Sequence, residues 1–75
     1  MSASKEQLIE FMKRQIVNEN KIVSSVNAGL KNINNAPVKA VLKGISLDSI
    51  KHAELYASAV ALLSTTAQAM NQGNL

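Results

Sequence analysis

Three side chains, Glu19, Asp48 and His52, lie in otherwise apolar helical patterns and could do chemistry there. Two carboxylates and an imidazole can bind a divalent metal ion, or they can neutralise one another as ion pairs. The chain has no cysteine, so disulfides and thiolate metal sites are excluded. Whether the three residues can act together depends on the helices that carry them.

The first half of the chain has the pattern of one long helix. Apolar residues recur at steps of three and four between Leu8 and Ile33, and Ser4 and Gln7 have the spacing of a capping box. Asparagines and Pro37 follow, which are typical of a turn and of the first turn of a new helix. The sequence therefore predicts a helix over about residues 5–33, a turn over about 34–36, a second helix over about 37–70 and a frayed tail over 71–75.

A connection of only a few residues makes neighbouring helices antiparallel. The predicted fold class is accordingly all-α, a single domain formed by an antiparallel two-helix hairpin across residues 1–75. The second helix has no charged residue after Glu54, and residues 57–63 are small or apolar on every side. Such a helix is normally buried all round. We therefore expect the hairpin to form a homo-oligomer, most simply a four-helix bundle made by dimerisation.

The three candidate residues interrupt the apolar stripes. Glu19 falls in the stripe of the first helix between Ile16 and Val23. The predicted stripe of the second helix consists of Val41, Ile45, Asp48, His52, Leu55 and Ala59. At about 1.5 Å per residue, Glu19, Asp48 and His52 all lie roughly 18 to 24 Å from the turn. The three side chains are thus predicted to share one layer of the bundle.

Three interpretations of this layer are open. A dimer would collect four carboxylates and two imidazoles, a donor set suited to a shared site for iron or manganese. Alternatively, His52 carries a charge and pairs with Glu19 or Asp48, so that the layer only fixes the register of a metal-free structural or interaction module. In the third interpretation the helix phase differs from the predicted one, and some of these side chains face water.

The sequence also resembles a known superfamily. A carboxylate inside the first helix, the Asn-Asn-Ala-Pro turn and residues 48–54, Asp-Ser-Ile-Lys-His-Ala-Glu, are similar to the ferritin-like, rubrerythrin-type proteins. That resemblance implies a four-helix bundle of two hairpins with a di-metal site, in which Glu19 is the lone glutamate and His52 the histidine of a Glu-x-x-His motif. Ser49 occupies the position of that motif's glutamate. In terms of this resemblance, Asp48, one residue earlier, would be the substitute oxygen ligand.

Other classes of function have little support in the sequence. The basic residues that give the net charge of +3 are interleaved with acids, and two aromatic residues are too few for a nucleic-acid surface that stacks on bases. No nucleophile paired with a base and no phosphate-binding glycine loop is present, which leaves any catalytic residue unassigned. No apolar segment is long enough to span a bilayer, so we expect a soluble, cytoplasmic protein.

Overall fold

Two α-helices connected by a short loop make up the part of the chain described by the computed structural model, which covers the backbone of residues 4–73 and the side chains of residues 4–65. Helix α1 is Lys5–Leu30 and helix α2 is Ala36–Gly73. The helices pack against each other along their length, and the described residues contain no strand. The predicted all-α hairpin is confirmed.

Helix α1 begins where the sequence predicts. The Ser4 hydroxyl accepts a hydrogen bond from the Gln7 backbone N–H at 3.0 Å, and the Gln7 side-chain carbonyl accepts one from the Ser4 N–H at 2.9 Å. This capping box satisfies two N–H groups that the first helical turn leaves without partners.

The end of α1 differs from the predicted boundary at residue 33. The α-helix stops at Leu30, and the N–H groups of Asn32 and Ile33 bond to Gly29 and Leu30, three residues back. These tighter bonds end the helix where asparagines begin, because asparagine side chains compete for backbone groups.

The beginning of α2 depends on Asn35. Its side-chain carbonyl accepts a hydrogen bond from the Val38 N–H at 3.0 Å, and its backbone carbonyl accepts one from the Lys39 N–H at 2.9 Å. Pro37 lies in the first turn, as predicted, where its missing N–H costs nothing. The far end of α2 runs to Gly73, so residues 71–73 of the predicted tail are helical. Residues 74 and 75 lie outside the described residues.

The contact between the helices, which we call the seam, has small residues at its most buried positions on α2. Ser46, Ser49 and Ala53 are buried, and among the described residues of α1 the buried one is Met12. The Ser46 hydroxyl donates a hydrogen bond to the Asn27 side-chain carbonyl at 3.1 Å across the seam. The seam of α2 continues at the same steps of three and four through Leu42, Tyr56, Val60 and Leu63, all partly buried.

This seam corrects the predicted helix phase of α2. Three apolar members of the predicted inner stripe, Val41, Ile45 and Leu55, are 65%, 43% and 57% exposed. The residues that face α1 come one position later in the sequence, a rotation of about 100° around the helix. Both stripes have helical spacing, so the spacing of apolar residues alone does not decide which one faces α1.

The two glycines inside the helices do not mark a close approach of α1 and α2. A methyl group added at Gly29 or at Gly44 would meet no atom within 4 Å. Close packing of α1 against α2 is therefore not the reason for these glycines within the hairpin. Their presence is tolerated rather than required by the contact.

Candidate functional site

Glu19 and His52 meet across the two helices, as their predicted depth requires. The Glu19 Oε2 atom lies 3.6 Å from the His52 Nδ1 atom. The Glu19 side chain is 16% exposed, whereas that of His52 is 55% exposed. The carboxylate is therefore mostly covered by protein, and the imidazole lies at the edge of the seam with one side open.

Asp48 occupies a different environment. It is exposed one helical turn before His52, on the same side of α2. Among the described residues, no set of three or more His, Cys, Asp or Glu side chains converges closely enough to hold a metal ion. The single hairpin thus brings together Glu19 and His52 and leaves Asp48 outside the pair, and the assignment of the three as metal ligands stays a prediction.

A groove opens beside His52. It has a volume of about 360 Å³ and is lined by Met12, His52, Leu55, Tyr56 and Ala59. All but the imidazole and the phenol hydroxyl are apolar, so the candidate pair borders an apolar surface rather than a polar pocket. Tyr56, one helical turn after His52, places its ring at this groove.

The groove belongs to a larger surface that we call the open face. In an antiparallel pair of right-handed helices, residues one position before the seam lie on the same side of both helices. On α2 this position is held by Val38, Val41, Ile45, Asp48, His52, Leu55, Ala59 and Leu62. On α1 it is held by Leu8, Phe11, Gln15, Asn18, Ile22 and Ser25.

The open face is apolar and uncovered. Most of the exposed large apolar side chains of the described residues belong to it, with exposures between 40% and 65%: Leu8, Phe11, Ile22, Val38, Val41, Ile45, Leu55 and Leu62. Asp48 and His52 are the ionisable side chains at these positions. The opposite face carries more charge, and its ionisable residues one position after the seam are Glu6, Glu10, Lys13, Lys31, Lys43 and Glu54.

The donor atoms at the Glu19–His52 pair fit a divalent cation. A carboxylate oxygen and an imidazole nitrogen 3.6 Å apart can both reach one ion at the usual distance of about 2.0 to 2.2 Å. Oxygen and imidazole donors without sulfur are compatible with iron or manganese. The same geometry also satisfies an ion pair if His52 is protonated.

The sequence reasoning missed the seam residues Ser46, Ser49 and Ala53. Their spacing is as regular as that of the predicted stripe, and their small size was the available signal of a close helix contact. Ser49 in particular, which the resemblance placed at a ligand position, is 5% exposed and belongs to the seam.

No helix in the described part of the chain is both long enough and apolar enough to cross a membrane. Comparison of the chain with known proteins finds no matching family model, no matching curated protein and no matching solved structure.

Proposed function

We propose that this chain is a self-assembling helical-bundle protein of ferritin-like plan, whose central polar layer of Glu19, Asp48 and His52 binds a divalent metal ion, iron or manganese. The observation that carries the proposal is the contact of 3.6 Å between Glu19 and His52 at the edge of an uncovered apolar face. A mostly covered carboxylate needs a cationic partner, and a metal ion held with the imidazole supplies one.

Each residue has a distinct role in this proposal. Glu19 and Asp48 provide oxygen ligands that balance the charge of the ion, and His52 binds as neutral imidazole. Assembly is part of this proposed function. In a single hairpin Asp48 lies outside the Glu19–His52 pair, and it belongs to the open face, which a second hairpin would cover. A bound iron or manganese ion would supply Lewis-acid or redox chemistry at the bundle centre.

A second candidate is a metal-free structural or interaction module. The observation that favours it is that the Glu19–His52 contact is complete without any third group, since a protonated imidazole neutralises the carboxylate directly. A polar pair whose carboxylate is mostly covered fixes the register of helices, because any shift along the axis leaves that charge without its partner. This module has the same fold and the same apolar face.

The two candidates differ in their response to metal. We expect Fe(II) or Mn(II), added without oxygen, to raise the unfolding temperature of the natural chain, because a ligand of the native state stabilises it by about 2.7 kcal/mol at a hundredfold excess over Kd. The double substitution Glu19→Gln with His52→Gln keeps side-chain volume and hydrogen bonding and should abolish the shift. Glu54→Gln, which removes an exposed carboxylate from the opposite face, is the matched control and should retain it.

A different set of results would contradict the metal-binding proposal. If the natural chain contains no metal by elemental analysis after purification, and Fe(II) and Mn(II) leave its unfolding temperature unchanged, the metal-binding proposal is wrong. A double variant that loses stability by the same amount with and without metal would then support the metal-free module.

A further inference from the structure

The residues of α2 on the open face follow a nearly symmetric order along the helix. Counted outward from the midpoint between Asp48 and His52, the same kinds of residue stand at equal distances on each side. The matching pairs are Ile45 with Leu55, Val41 with Ala59 and Val38 with Leu62. At the centre, an acid matches a base.

This symmetry has a direct structural meaning. When two copies of one helix pack antiparallel about a two-fold axis, each residue meets the residue equally far on the other side of the axis. An axis at the level of residue 50 therefore places apolar side chains against apolar side chains in every outer layer. It also sets each Asp48 against the partner's His52, so that an acidic side chain meets a basic one and no like charges are brought together.

Helix α1 agrees with the same axis. The contacts of Glu19 with His52 and of Asn27 with Ser46 place residue 22 of α1 at about the level of residue 50 of α2. Ile22 lies at that level on the open face and is 40% exposed. The axis thus passes beside Ile22, which would contact the partner's Ile22.

We propose that a second copy of this chain covers the open face, with α2 antiparallel to the partner's α2 about a two-fold axis at residue 50, so that Asp48 of each copy completes the Glu19–His52 pair of the other. This inference deepens the proposed function and rests on its assembled bundle. The symmetric segment, residues 38–62, is about 36 Å long. Across the hairpin width of 22 Å, it offers about the 800 Å² per partner of a stable protein interface.

The chain lacks cysteine, so single introduced cysteines report the register without interference. We would mix equal amounts of Ile45→Cys and Leu55→Cys chains and oxidise them gently with oxidised glutathione. The proposed register brings these two positions together, and we expect the mixed disulfide to exceed the half share of random pairing. Each variant alone should give little disulfide, because its two copies lie about 15 Å apart along the axis.

A second pair and a control keep the test decisive. Val41→Cys with Ala59→Cys samples the next layer of the same register and should also form the mixed disulfide. Leu47→Cys lies on the opposite face, is 65% exposed in the natural chain, and should not pair with Leu55→Cys above the random share. Circular dichroism of the reduced variants establishes that each one is helical.

The possible outcomes test the proposed dimer register and the proposed metal binding separately. Disulfides of Ile45→Cys with itself, or random pairing in both mixtures while light scattering shows a dimer, would overturn the register and leave metal binding to be judged by its own test. A chain that is monomeric at high concentration would overturn the docking itself. If mixed disulfides form but Fe(II) and Mn(II) leave the unfolding temperature unchanged, the dimer is supported and the metal-binding proposal is wrong.

Discussion

Replacing Leu55 with alanine tests the docking surface quantitatively. Leucine carries three more carbon atoms than alanine, which contribute about 2.4 kcal/mol on complete burial at about 0.8 kcal/mol per carbon. In the hairpin 57% of Leu55 is exposed. A partner that covers this share would gain about 1.4 kcal/mol from each copy.

Both copies of a dimer lose this contribution together. The sum of about 2.7 kcal/mol corresponds to a dimer Kd raised about 100-fold by Leu55→Ala. Sedimentation equilibrium over a series of protein concentrations measures the Kd directly. The matched control is Leu47→Ala, since Leu47 is 65% exposed but lies on the opposite face, and its Kd should stay within about threefold of the natural chain, or about 0.7 kcal/mol.

The reasoning fails if Leu47→Ala weakens the dimer and Leu55→Ala does not, because the partner would then cover the opposite face. It also fails if both variants match the natural chain. Circular dichroism should show unchanged helix content in both variants, since alanine is the best helix former and neither side chain belongs to the seam.

Three further substitutions test the hairpin itself, each by urea unfolding followed by circular dichroism. Ser4→Ala removes the capping box and should cost about 1 kcal/mol of unfolding free energy; an unchanged midpoint would show that the first turn contributes nothing. Ala53→Leu forces a large side chain into the seam and should cost about 1 to 3 kcal/mol, whereas Ala57→Leu, at an exposed position, should be nearly neutral. Gly44→Ala should stabilise by about 1 kcal/mol, because the added methyl meets open space in a helix interior, and destabilisation would reveal a close neighbour in the assembled protein.

The elements of the fold were predictable because local signals specify them. The Ser4 and Gln7 capping box, the asparagines near residue 34 and Pro37 each act within a few residues, and the structure has the helix boundaries within a few positions of the predicted ones. The stripe of α1 was also correct in phase, since Met12 is buried and Ile16, Glu19, Val23 and Val26 are partly buried.

The phase of α2 was not predictable by the same means. Hydrophobic spacing identifies the buried side of a helix only when the other sides are polar, and α2 has two neighbouring stripes of helical period. The structure shows which stripe is covered, because Ser46, Ser49 and Ala53 are buried while Ile45 and Leu55 are 43% and 57% exposed. The contact of Glu19 with His52 was predicted only from their equal distance to the turn. It is present although the helix phase of α2 differs from the predicted one, because the His52 side chain reaches Glu19 from the position next to the seam.

The short loop between α1 and α2, residues 31–35, has a consequence for how fast the molecule forms. Contacts between the helices can form first beside the loop and then spread outward, so little chain entropy opposes each new contact. Helical proteins with such local topology fold in microseconds to milliseconds. Joining two chains is a collision, and its rate depends on concentration. In a refolding experiment at micromolar protein, helix formation should therefore be fast and independent of concentration, and a slower second phase should double in rate when the protein concentration doubles.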